Sequence, residues 1–294
     1  MSKVRVFSVQ KSLSEPLGEA GFLDACAHYV RAAGEAGADF AVFPEHFAMQ
    51  ALASDGLERL GAEETVERLT AFAPRFRERF AELARAHQVN VIAGSIMRRV
   101  ESGAVRNVAH VFLRDGSEVQ QEKLQPTPDE RSFWGMTGGD ALDVIETDCG
   151  PVSVLICYDS EFPELARRVI DRGARILFVP YCTETRAGHL RVTYCCLARA
   201  IENQCYVVTS GCAGDLRGME NFDLNYAQSA VITPCDLPFA RDGIAAEASE
   251  NIEMTIRAEL DLDLLDWARQ DGAVRNLGDR RLDLYESVWK GRGA

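Results

Sequence analysis

Short apolar runs alternate along this chain with amphipathic stretches of helical period, and most runs stop at a proline, a glycine or a polar residue. That alternation constrains the fold more than any other feature. A short continuous apolar run suits a buried strand, and apolar residues at i, i+3, i+4 and i+7 suit a helix with one buried face. Residues 4–9 read as the first strand. Phe22, Cys26, Tyr29, Val30 and Ala33 share one helical face, closed by Gly34 and Gly37. Residues 39–43 form a strand stopping at Pro44, with Glu45 just past its end. A charged helix is predicted over 63–87, interrupted near Pro74, followed by a strand over 89–97. Residues 105–114 and 118–123 make a hairpin around Asp115-Gly116. Strands are predicted over 142–146 and 152–156, the second ending at Cys157. A helix carrying Phe162, Leu165, Ala166, Val169 and Ile170 follows. Then come a strand over 175–179 that ends at Pro180, a helix over 184–203 and a strand over 205–209. Strands over 228–233 and 252–259 and a short helix over 261–268 complete the pattern. This order predicts an α/β sandwich with parallel and antiparallel pairs. Active groups in such sheets collect at the carboxyl ends of strands.

No linker or internal repeat divides the 294 residues, so one domain is expected over 1–270, with a charged tail over 271–294. The net charge of −13 disfavours nucleic-acid and anionic-lipid partners. Neither a signal-peptide pattern at the start nor a run of about 18 apolar residues is present, so a cytoplasmic protein without a membrane span is expected. The nine cysteines are odd in number and form no Cys-x-x-Cys pair, which argues for free thiols over a disulfide framework or zinc ribbon. His28, His46, His87, His110 and His189 form no metal-binding spacing.

Cys157 stands where a strand turns into a helix. There a helix N-terminus can stabilise a thiolate, and backbone N–H groups can receive an oxyanion. Position alone leaves a buried core cysteine equally open. Glu45 suits a general base, but taken alone its position favours a solvated loop carboxylate. Lys123 suits charge stabilisation, but a snorkelling edge-strand lysine is the commoner case. Tyr181, Thr183 and Glu184, after Pro180, are expected at a pocket rim or in an ordinary loop.

Three segments, taken together, resemble the nitrilase superfamily of carbon–nitrogen hydrolases. They are Phe43-Pro44-Glu45, Glu122-Lys123-Leu124 and the stretch Cys157-Tyr158-Asp159-Ser160-Glu161-Phe162-Pro163-Glu164. Glu130 and the Ala198-Arg199-Ala200-Ile201-Glu202-Asn203 stretch extend the resemblance over most of the chain. It implies a four-layer αββα sandwich that assembles as a homodimer or larger homo-oligomer. It also implies a triad of Glu45, Lys123 and Cys157. Glu130 would orient Lys123, and the backbone N–H of Tyr158 would help to hold the oxyanion. The implied reaction is hydrolysis of a small linear amide through a thioester, without metal or organic cofactor. The stretch from Lys123 to Gly135 is similar to true nitrilases, while Cys157-Tyr158-Asp159 is similar to aliphatic and ω-amidases. The second lies nearer the reacting carbon and favours an amidase. A nitrilase, an N-carbamoyl amide hydrolase, an amide-forming transferase and a catalytically silent binding protein are the alternatives. Of the nine thiols, the eight other than Cys157 are expected to serve packing.

Overall fold

The structure is a computed structural model describing residues 3–53 and 59–292. Its first half contains β1 (Lys3–Ser12), α1 (Gly18–Glu35), β2 (Phe40–Val42), α2 (Ala62–His87), β3 (Asn90–Arg99), β4 (Val105–Phe112), β5 (Glu118–Glu122) and the short α3 (Pro128–Ser132). Next come β6 (Val152–Val154), α4 (Pro163–Asp171), β7 (Ile176–Tyr181), α5 (Arg186–Asn203) and β8 (Tyr206–Asp215). The chain continues through β9 (Leu224–Asn225), β10 (Ala230–Ile232), β11 (Ile244–Glu247), β12 (Met254–Asp261) and α6 (Leu262–Asp271).

The strands form two sheets. One runs β12–β1–β2–β3–β4–β5, with β1, β2 and β3 parallel and the others antiparallel to their neighbours. The other runs β6–β7–β8–β10–β11, its first three strands parallel. They join at one corner through the pairs Lys11–Cys212 and Ser12–Ala213.

Strand periodicity explains the layering. In β1, Val4 and Val6 belong to the core between the sheets, while Phe7 and Val9 belong to the core under α1 and α2. Across the seam, the rings of Phe40 and Phe178 lie 4.9 Å apart. Outside the first sheet, Phe22, Phe47, Phe72, Phe76 and Phe80 interlock, so that truncating Phe76 to alanine should cost roughly 3–5 kcal/mol. Outside the second, Val169 and Ile170 of α4 and Val192, Cys196 and Ala200 of α5 are buried. The result is the αββα sandwich.

Four expectations change. α2 runs unbroken through Pro74, because its Phe72, Phe76 and Phe80 face is buried on the sheet and a proline removes only one helical N–H donor. The stretch 142–146 forms only the bridge Ile145–Val152, and β6 ends at Val154 before the chain turns toward Cys157. β7 continues through Pro180 to Tyr181, because β6 pairs only as far as Phe178 and leaves that edge without need of an N–H. The charged C-terminal segment folds back on the domain. Arg280 pairs with Asp171 at 2.7 Å, and Trp289 lies 4.2 Å from the Arg168 guanidinium.

Candidate active site

Glu45, Lys123, Cys157 and Cys182 stand at or just beyond the ends of β2, β5, β6 and β7, so both sheets contribute. Together they floor a cavity of about 570 Å³. Glu45 keeps sheet register through a bridge to Ser95, which requires a close approach by the neighbouring Gly94. Gly94 has φ +57°, and a Cβ there would collide with the Pro44 carbonyl. Lys123 is anchored by its N–H to the Asn107 carbonyl at 2.8 Å. Glu130 lies in α3, where Thr127 Oγ1 accepts its N–H at 3.1 Å and its own Oε2 accepts the Thr127 N–H at 2.7 Å.

The charged centre is almost dry. Relative exposures are 1% for Glu45, 2% for Lys123, 5% for Cys157 and 7% for Glu130. Lys123 Nζ donates to Glu45 Oε1 at 2.8 Å and to Glu130 Oε2 at 2.7 Å. Asn107 Nδ2 donates to Glu45 Oε1 at 2.8 Å and Glu130 Oε1 at 3.2 Å. His46 Nε2 lies 3.3 Å from Glu130 Oε1. The other oxygen of Glu45 accepts the Cys182 N–H at 2.9 Å. Burial alone would lower the Lys123 pKa, but Glu130 and Glu45 outweigh it and hold the ammonium charged. Burial would raise Glu130, but Lys123 and then His46 draw its carboxyl well below the usual range. Glu45, His46 and Glu130 place potential metal-ligand atoms within 4.8 Å of one another. The Lys123 ammonium already brings to Glu45 and Glu130 the positive charge that a metal ion would bring to this donor set.

Cys157 opens a single-turn 3-10 segment, Cys157–Glu161, at φ +47°. Its Sγ lies 3.8 Å from the Cys182 carbonyl. Burial, then the Glu45 charge, pushes the thiol well above its ordinary value, while Lys123 acts in the opposite sense. The expectation of a helix-stabilised thiolate is therefore corrected. The turn is too short for a strong dipole, and desolvation of the thiolate wins. A buried carboxylate fastens this turn to the lysine loop. Asp159 Oδ1 accepts the N–H of Gln125 at 2.7 Å, and its Oδ2 accepts that of Ile156 at 3.3 Å. Arg199 closes the turn's far end, donating to the carbonyls of Ser160 at 3.0 Å and Glu161 at 3.3 Å.

A sequence model of the carbon–nitrogen hydrolases matches residues 8–270. The chain belongs to the carbon–nitrogen hydrolase family. Among similar proteins, a "Probable hydrolase YhcX" of Bacillus subtilis (strain 168) is 45% identical over 287 residues, 98% of this chain and 55% of that protein. A deaminated glutathione amidase of Synechocystis is 30% identical over 250 residues, 80% of this chain and 84% of its own length. The chain thus spans little more than half of YhcX, and 57% of the NitFhit fusion protein of Caenorhabditis elegans. The crystal structure of the C. elegans NitFhit protein superposes with a TM-score of 0.79 at 26% identity, over 97% of this chain and 67% of that one. The fold is also that of an amidase variant from Nesterenkonia sp. AN1, with a TM-score of 0.74 at 21% identity over 97% and 96% of the two chains.

In this member of the family, Glu45, Lys123, Glu130 and Cys157 come together as expected from the sequence, and Tyr158, Thr183 and Glu184 line the cavity. Tyr181 is corrected. Its ring is fully buried in β7, and its hydroxyl accepts the Gln228 N–H at 3.0 Å, so it supports the core instead of the rim. Cys182 is also corrected from a packing role, since it lines the cavity and holds Glu45 through its backbone. Asn107 completes the polar shell without having been singled out, and His46, the neighbour of Glu45, joins it through Glu130. Asn107 had one legible sign, as a polar residue on the inward face of a strand that also presents Ala109 and Val111.

Proposed function

We propose that this chain hydrolyses a small linear amide through a thioester on Cys157, releasing ammonia and a carboxylic acid. The convergence of a protonated thiol, a carboxylate and an ammonium on one cavity floor carries the reading. Glu45 takes the proton from Sγ as sulfur bonds to the amide carbon. The carbonyl electrons move to oxygen, and the oxyanion is held by the Lys123 ammonium and the Tyr158 N–H. Glu45 then protonates the nitrogen, the C–N bond breaks, and ammonia leaves a thioester. Water, deprotonated by Glu45, attacks that carbon. The C–S bond breaks, Glu45 returns its proton to the sulfur, and the acid departs. Glu130 and Asn107 keep Lys123 and Glu45 in place, and no cofactor enters any step. Exposed Tyr194 and Ile201 on α5 support a further proposal, association of two copies through that helix.

Ammonia release from primary amides, nitriles and N-carbamoyl amines tests the reading. We expect turnover of amides, its loss in Cys157→Ala, and hydroxamate formation when hydroxylamine is added. Full activity in correctly folded Cys157→Ala would overturn it.

A further inference from the structure

The cavity above Cys157 is lined by five carboxylates and two cations. Of the cations, Lys123 is already shared between Glu45 and Glu130. Arg191 stands at the mouth, its side chain 66% exposed and its Nε 3.7 Å from Glu161. That leaves Asp129, Glu161 and Glu184 around the entrance with one solvated guanidinium among them. Asp129 accepts a 2.6 Å hydrogen bond from Asn221 Nδ2, which fixes the carboxylate without neutralising it. Partial burial, then the charges of Asp129 and Asp223, lifts Glu184 above its ordinary value, so these carboxylates feel one another's field. Glu161 is lifted by burial against the pull of Arg191. The aromatic residues Trp134, Tyr158 and Phe222 also line this cavity. Aromatic faces attract cations, and low-dielectric walls concentrate the field of like charges inside a cleft.

We propose that the cavity selects linear amides whose far end carries a positive charge, an ammonium or guanidinium several bonds from the amide, and turns away amides ending in a carboxylate. The proposal rests on the amidase reading and adds a substrate class to it. The cation would settle between Glu161 and Glu184 against the aromatic wall, with the amide carbon at Cys157. An anionic end would meet uncompensated carboxylates, and Arg191 is drawn toward Glu161.

Three amides of one chain length test this: δ-aminovaleramide, valeramide and glutaramate. Expected kcat/KM falls in that order, by about tenfold or more at each step at low salt. The cation-to-anion ratio should shrink as salt is added, because screening acts on the charged partners alone. Within each variant, the ratio of δ-aminovaleramide to valeramide cancels general damage. Glu161→Gln and Glu184→Gln should each lower that ratio roughly 5–10-fold. Arg191→Gln should raise it, and Glu78→Gln on the remote α2 should leave it unmoved. Equal turnover of the three amides, a preference for glutaramate, or a ratio indifferent to all the cavity variants overturns the charge proposal while leaving the amidase intact. Ammonia from none of the three, nor from the wider amide panel, overturns the amidase reading and this proposal with it.

Discussion

Replacing Lys123 with methionine keeps the length of the side chain and removes its charge and all its donors. The ammonium makes three hydrogen bonds of 2.7–2.9 Å to two carboxylates that are among the most buried charges in the chain. Removing one partner of a buried ion pair typically costs about 3–5 kcal/mol, because the other charge is left uncompensated. Asn107 Nδ2 and the N–H groups of Cys182 and Thr127 remain as donors, so the lower part of that range, about 3–4 kcal/mol near pH 8, is expected. For a chain of this size that corresponds to a fall in Tm of roughly 5–7 °C. The pH dependence has a definite sign. In the parent, Lys123 depresses Glu130, so the stability it contributes is present above the ordinary carboxylate range and lost as pH falls through the depressed value. In Lys123→Met, burial raises Glu130 instead, and stability is lost as pH rises. The gap between the two proteins should therefore widen from about pH 5 to about pH 8. Adding Glu130→Gln removes one uncompensated charge and should recover roughly half of the loss. Activity should fall about 10²–10³-fold in the single variant and stay low in the double, since the oxyanion still lacks its cation. Urea titrations at both pH values and ammonia release measure the two effects separately. A single variant within about 1 kcal/mol of the parent at both pH values would refute the charge-balance reasoning.

The raised Cys157 thiol should make alkylation of the free protein slow near neutrality, rising about tenfold per pH unit, as read by mass spectrometry of its peptide. A plateau below about pH 8 would contradict that state. Arg199→Leu leaves the carbonyls of Ser160 and Glu161 without their donor, and should cost about 2–4 kcal/mol in denaturant unfolding and reduce kcat more than it changes KM. Tyr194→Asp with Ile201→Asp should halve the mass found by light scattering, and a monomeric parent would sink the association proposal. Phe178→Ala should cost roughly 3–5 kcal/mol by opening a void between the sheets, against Phe40.

Glu45 and Cys157 follow apolar runs, whereas Lys123 follows the polar strand β5. Position left each of the three open, and the resemblance of their segments taken together singled them out. Asn107 was harder to read because it lies inside β4, and its partners Glu45 and Glu130 are distant in the chain. Cys182 acts through a backbone N–H, which leaves no trace in residue type. The same limit explains the errors of structure. Whether Pro74 breaks α2 depends on the tertiary burial of its phenylalanines, and whether Pro180 ends β7 depends on how far β6 reaches. The folding-back of the tail rests on single pairs such as Arg280 with Asp171, which periodicity does not reveal.

Among the described residues the two sheets pair strand to strand at one corner, through Lys11–Cys212 and Ser12–Ala213, and elsewhere side chains such as Phe40 and Phe178 meet between them. Glu45 and Lys123 ride on the first sheet, Cys157 and Cys182 on the second. The spacing of sulfur, carboxylate and ammonium is therefore a vernier that reads the alignment of one sheet on the other. A slip too small to alter any helix or strand would first be felt as lost chemistry. On the mechanism proposed above, turnover would therefore gauge how the two sheets are packed on one another.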